Sequence, residues 1–130
     1  MSFKFIKNND GTNHPVIEEL PVAAGTYNVG DALGLDSTTG YVKKITGTAK
    51  PDYISAACKV TTTSNKIAMI PVTDGQIYKT KFSADGSALK AGAKVTIDAD
   101  SVGVTATTTS GVFTLLEEGK ASGGTAIGKF

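Results

Sequence analysis

One sequence pattern occurs twice in this chain, and both copies predict a tight β-hairpin. Residues 29–42 read VGDALGLD, a Ser/Thr turn and GYV, whereas residues 91–104 read AGAKVTID, a turn and VGV. Each copy has a glycine near its start, an aspartate at the turn and a second glycine beyond the turn. Glycine and aspartate favour turns, and short apolar runs between turns favour strands. We therefore expect two equivalent hairpins in a β-rich domain, built from a pattern that carries no reactive chemistry.

The rest of the chain is divided by frequent glycines and polar turn residues into segments of strand length. Residues 66–72 form the most apolar segment and predict a core strand. Residues 76–82 alternate, which predicts a half-buried strand that buries Tyr78, Thr80 and Phe82. Residues 87–92 predict a single helical turn ended by Gly92. We expect an all-β fold, a small β-barrel or sandwich of short antiparallel strands with at most one short helix.

The N-terminal residues differ in character from the remainder. Phe3, Phe5 and Ile6 form an apolar patch, a polar turn-forming run follows, and two prolines then favour extended backbone. The segment therefore predicts either an extended arm or a first strand that closes the domain. We expect an extended N-terminal arm over residues 1–20 and a single β-barrel domain over residues 21–130, a size that suits one domain.

Charge argues against nucleic acid and membranes as partners. The formal net charge is +1, and all thirteen basic residues are lysines. Without arginine the chain lacks the side chain best suited to bidentate recognition of phosphate or guanine. Neither a signal peptide nor an apolar stretch of membrane-spanning length is visible. We expect a protein made in a cytoplasm that binds neither nucleic acid nor a membrane.

The inventory of reactive residues argues against an enzyme and against a cofactor. The chain has one histidine, His14, and one cysteine, Cys58, so few catalytic or metal-binding combinations exist. His14 lies in the polar, proline-flanked segment, where a solvent-exposed role is expected. Cys58 follows an apolar run and is expected to be a buried small residue. Asp98 and Asp100 could hold a calcium ion loosely, although a turn role suits aspartate at that place better.

The order of motifs resembles that of the small β-barrel capsid decoration, or head-stabilising, proteins of tailed bacteriophages. The resemblance spans residues 22–130. It is carried by the stretches AGTYNVGD at 24–31, GYV at 40–42, PDYISAA at 51–57, IAMIPV at 67–72 and KAGAKV at 90–95.

The resemblance implies a non-catalytic virion protein on the capsid exterior, made in the host cytoplasm. Its partner would be the major capsid protein, which it would clamp against internal pressure, often as a homotrimer. Relatives commonly touch the shell with an N-terminal arm, so the expected capsid-contact residues are Phe3, Phe5, Ile6 and His14.

Two other functions remain open at the level of sequence. A β-rich phage fibre, tail or host-surface binding module would share the threonine- and glycine-rich composition. Such modules often expose aromatic residues to sugars, whereas this chain has no tryptophan and four tyrosines. A ligand-binding barrel also remains open, because an apolar pocket leaves no sequence motif.

Overall fold

The computed structural model describes residues 2–130, which form twelve short strands and no helix. In chain order the strands are β1 (Lys4–Lys7), β2 (Glu18–Pro21), β3 (Gly25–Tyr27), β4 (Ala32–Leu35), β5 (Val42–Lys44), β6 (Tyr53–Ser55), β7 (Lys59–Thr61), β8 (Lys66–Pro71), β9 (Ile77–Lys81), β10 (Lys94–Val95), β11 (Phe113–Leu115) and β12 (Thr125–Lys129).

The strands form three antiparallel sheets. Sheet A has the order β1-β9-β12-β11-β10, sheet B the order β2-β8-β6-β4-β5, and sheet C pairs β3 with β7. Neither five-stranded sheet closes on itself, so the arrangement resembles a sandwich and not a closed barrel. The prediction of an all-β fold of short antiparallel strands is confirmed.

Sheet B lies between two apolar clusters, which explains why its strands β4 and β8 carry apolar residues on both faces. Ala32 and Ile54 of sheet B pack in one cluster with residues of sheet A, including Tyr78 and Phe113. Leu33 is the neighbour of Ala32 and points into the second cluster with residues 22, 27, 42, 67 and 69. Successive side chains of a strand point to opposite faces, so a strand buried on both sides needs an unbroken apolar run.

Both copies of the repeated pattern fold back on themselves, the first as the β4–β5 hairpin and the second through a single antiparallel bridge between Ile97 and Val104. The backbone N–H of Asp36 donates to the carbonyl of Tyr41 at 2.9 Å, and that of Asp98 donates to the carbonyl of Gly103 at 2.9 Å. The carboxylate Oδ1 of each aspartate accepts a bond from the N–H two residues later, at 2.9 Å in the first copy and 3.1 Å in the second. Aspartate thus closes both turns with its own side chain.

The two hairpins also contact one another directly. Gly47, beyond the first hairpin, and Ile97 of the second exchange two backbone hydrogen bonds of 3.0 Å each. The N–H of Ala32 donates to the carbonyl of Ser101 in the second turn at 2.7 Å. Because the first copy belongs to sheet B and the second begins in sheet A, the repeat joins the two large sheets.

The N-terminal segment, defined here as residues 2–20, belongs to both large sheets. Strand β1 is the edge of sheet A next to β9, and β2 is the edge of sheet B next to β8. The expected boundary between residues 20 and 21 therefore falls inside β2. Residues 2–20 are a part of the sandwich instead of a separate arm, because both ends of the segment are paired in a sheet.

Two local predictions concern residues 76–92. The alternation over 76–82 is confirmed, since Tyr78, Thr80 and Phe82 are buried while the lysines between them are exposed. The helical turn predicted for 87–92 is wrong, because those residues form separate turns in the described chain. The N–H of Gly92 donates to the carbonyl of Leu115 at 2.8 Å, so tertiary backbone bonds replace helical ones there.

Candidate functional site

Phe3 is a core residue at the inner face of the N-terminal segment. It is 2 % exposed, and its ring centroid lies 5.7 Å from that of Phe113 and 5.2 Å from that of Phe130. Its backbone N–H donates to the carbonyl of Gly30 at 2.9 Å. Aromatic rings at these separations contribute packing energy beyond area burial. Phe3 therefore fixes the N-terminal segment to the rest of the sandwich, called the body below, and offers little exposed surface of its own.

Phe5 and Ile6 are half-buried and lie where β1 becomes irregular. The ring of Phe5 stands edge-on to that of Tyr78 at 5.8 Å. The register with β9 shifts between Phe5 and Lys7, which places a bulge at Ile6. Bulges re-aim side chains at sheet edges. Both residues remain partly open to solvent, as a contact residue must be.

The loop between β1 and β2 is held by its own hydrogen bonds. The Asn8 side chain donates to Thr12 Oγ1 at 3.0 Å and to the carbonyl of His14 at 2.9 Å. Asp10 accepts bonds from the hydroxyl and the N–H of Thr12, which together hold the pKa of the Asp10 carboxyl below its usual value. The His14 side chain is exposed on this loop.

Together the N-terminal segment and the body form an apolar groove of about 530 Å³, called the N-terminal groove below. Its apolar lining is Phe3, Phe5, Pro15, Ile17, Val29, Ile54, Ala56 and Ile70. Ile17 and Val29 are 50 % and 58 % exposed, and the adjacent Val16 is 64 % exposed. Exposed apolar side chains that gather around one groove mark an interaction surface more strongly than scattered ones.

The expected contact residues are therefore brought together only in part. Phe3 and Phe5 line the groove, whereas Ile6 and His14 do not. His14 nevertheless stands between two lining residues, Asn13 and Pro15. The groove residues from β6 and β8 and the exposed Ile17 and Val29 were missed from sequence. For Val29, the sequence offers one signal. The residue before the first glycine of the repeated pattern is a valine in the first copy and the smaller Ala91 in the second, so the larger apolar side chain is a difference between the copies.

Asp31 is a buried carboxylate that pairs with a partly exposed lysine, close in sequence to the groove residue Val29. Its side chain is fully buried, and Oδ2 lies 3.2 Å from Lys44 Nζ and accepts the N–H of Asn28 at 2.8 Å. Its Oδ1 is buried without a hydrogen-bond partner among residues 2–130. Burial and, to a smaller extent, the charge of Asp31 raise the pKa of the nearby Tyr27 hydroxyl. This arrangement braces the first hairpin.

The remaining polar candidates have structural roles. Asp98 Oδ1 accepts the N–H groups of Asp100 and Val102, as expected for a turn. Within residues 2–130, no three histidine, cysteine, aspartate or glutamate side chains are grouped so that they could hold a metal ion. The expectation of a buried Cys58 is wrong, since this residue is exposed and its Sγ lies 3.5 Å from Asn28 Oδ1. No helix in the described chain is long and apolar enough to cross a membrane.

Comparison of the chain with models of protein families, with curated proteins and with solved structures finds no match. The N-terminal groove and the surfaces around it are therefore the features that indicate a function.

Proposed function

We propose that this chain is a structural virion protein that binds the outer surface of a phage capsid and stabilises the shell. The observation that carries the proposal is the N-terminal groove, in which exposed Ile17 and Val29 flank an apolar floor. The major capsid protein is the proposed partner, and a homotrimer is the proposed form on the shell. The role is non-catalytic, in keeping with one histidine, one cysteine and no arginine in the chain.

The fold suits a protein that must withstand conditions outside a cell. The C-terminal strand β12 lies inside sheet A between β9 and β11, and the N-terminal strand β1 pairs with β9. Backbone that is hydrogen-bonded in a sheet exposes few sites for proteolysis.

The expected energy of one contact is modest, and a shell multiplies it. Full burial of a valine or isoleucine side chain contributes about 1.5–3 kcal/mol. Ile17 and Val29 already lose about half of that effect by being partly covered, so the groove alone supports reversible binding. Contacts repeated within an oligomer raise the overall affinity without any new contact.

Co-sedimentation with shells tests this proposal. The chain is mixed with shells assembled from the proposed partner, a major capsid protein, and bound protein is measured after centrifugation. The double variant Ile17→Asp/Val29→Asp should abolish binding, because it places two charges in an apolar contact. Val60→Asp is the matched control, since Val60 is 76 % exposed and lies on β7 of sheet C.

The outcomes are distinct. Saturable binding by the unmodified chain and by Val60→Asp, together with loss in the groove variant, supports the proposal. Absence of binding by the unmodified chain at saturating concentration would reject it. Equal binding by all three proteins would reject the groove as the contact.

A further inference from the structure

The charge of this nearly neutral chain is segregated. The strands of sheet A carry six lysines and no acidic residue, and the lysines are Lys4, Lys7, Lys79, Lys81, Lys94 and Lys129. The remainder of the chain has seven lysines against twelve acidic residues, a net charge of −5. A formal net charge of +1 thus conceals one basic sheet on an otherwise acidic molecule.

All six lysines are exposed on the same face of sheet A. Tyr78 and Thr80 are buried, so Lys79 and Lys81 point outward. Lys4 lies directly opposite Lys79, and residue 7 lies opposite residue 77 on the same outward face. On the other side of the sheet, Thr114 lies opposite both Lys129 and Lys94, which extends this face to β10.

Among the described residues, none of these six lysines forms an ion pair. The four ion pairs among residues 2–130 involve Lys43, Lys44, Lys50 and Lys120, all outside the strands of sheet A. Like charges directly opposite one another destabilise a sheet, as Lys4 and Lys79 must do. Lysine on an edge strand can prevent aggregation, but β9 and β12 are interior strands. Protection of an edge therefore does not explain Lys79, Lys81 or Lys129.

The outward face of sheet A that carries these six lysines, called the lysine face below, is continuous with the N-terminal groove. Lys4, Lys79 and Lys81 line a depression of about 250 Å³ together with Ser2 and Thr125. Ser2 and Lys4 also line the groove, so the two surfaces share a border along β1. One partner can therefore cover the apolar groove and the basic face together.

We propose that the outer face of sheet A docks on an acidic surface of a partner protein. The identity of that partner as the shell subunit rests on the proposed function, whereas the chemistry of the face does not. Complementary charge across an interface steers encounter and fixes orientation. Half-buried Ile77 and Ile127 lie among the lysines and give the face apolar contacts that a protein surface can match.

A protein partner fits this face better than a nucleic acid does. The aromatic residues of sheet A, Phe5, Tyr78 and Phe113, lie on the inner face of the sheet, so no ring stands among the outward lysines for stacking on bases. The basic groups are all lysines, which act as point charges without the bidentate geometry of arginine. A carboxylate-rich protein surface requires neither stacking nor bidentate contacts.

Binding to poly-L-glutamate tests the face without any shell. The unmodified chain should bind it with an affinity that falls as salt rises. Lys79→Glu/Lys81→Glu should weaken binding at least about tenfold, because two attractive contacts become repulsive. Lys59→Glu/Lys66→Glu makes the same charge change at exposed lysines of β7 and β8, and should weaken binding less than about threefold. Melting curves verify that both variants are folded.

Each outcome supports or overturns the inference. Equal weakening by the two double variants would overturn it, since binding would then follow net charge and not this face. Tighter binding of an oligo-dT strand or of phosphatidylserine vesicles through Lys79 and Lys81 would overturn the choice of a protein partner. Loss of self-association in the sheet A variant alone would show that the face joins copies of this chain. Binding of poly-L-glutamate with no binding to shells would leave the face supported and reject the proposed function.

Discussion

Alanine at Gly30 and at Gly92 should have very different effects, although the two glycines occupy the same place in the repeated hairpin. Both have a φ of +90°. An L-residue held in this left-handed region costs roughly 1–2 kcal/mol. At Gly92 no atom lies within 4 Å of where a Cβ would stand, so backbone strain is the whole expected loss.

At Gly30 the same change also displaces the N-terminal segment. A Cβ there would lie 2.7 Å from the carbonyl oxygen of Phe3 and 2.5 Å from the Cβ of Ser2. The first of these atoms is backbone, so relief requires the strand to move. Complete loss of a buried phenylalanine costs about 3–5 kcal/mol. We therefore expect Gly30→Ala to lower the free energy of unfolding by about 2–5 kcal/mol more than Gly92→Ala does.

Urea denaturation followed by circular dichroism measures the two losses under identical conditions. Combining Gly30→Ala with Phe3→Ala extends the test, because the second change should add less when the segment is already displaced. A difference between Gly30→Ala and Gly92→Ala below about 0.5 kcal/mol would refute the reasoning. Additive losses in the double variant would show that Phe3 is not held over Gly30.

Three further changes test other parts of the structure. Asp31→Asn should destabilise the fold by about 1.5–3 kcal/mol in urea denaturation, because the buried carboxylate loses its charge-assisted contacts to partly exposed Lys44 and to the N–H of Asn28. Asp36→Asn at an exposed pair should cost less, and equal losses would contradict the burial of Asp31. Burial raises the pKa of Tyr78, so folding favours its neutral form and stability should fall as pH rises above about 10. Tyr78→Phe should flatten that fall, and an unchanged alkaline profile would be contrary to the assignment. Cys58 should react fully with a thiol reagent in the native protein, whereas reaction only after denaturant is added would place it in the core.

The hairpins could be predicted from sequence because their turns are closed locally. Asp36 and Asp98 each bond to backbone within a few residues, so the signal lies in adjacent letters of the sequence. The expected burial of Cys58 was wrong because only part of the apolar run before it is a strand. Strand β6 ends at Ser55, whose Oγ accepts the N–H of Ala57.

The N-terminal groove could not be predicted because its walls are far apart in sequence. Phe5, Ile17, Val29 and Ile70 come from four separate segments, and only the strand order brings them together. The lysine face could be predicted only in part, for the same reason. The alternation of Lys79 and Lys81 is visible in the sequence, but the position of Lys4 opposite Lys79 depends on the pairing of β1 with β9.

Cryo-electron microscopy of shells saturated with this chain tests the central claim most directly. The proposal predicts density on the outer face of the shell, with the N-terminal groove and the lysine face of sheet A turned toward the capsid subunits. Bare shells at saturating protein would contradict the function. Bound density with sheet C against the shell and the groove open to solvent would contradict the assigned contact surface.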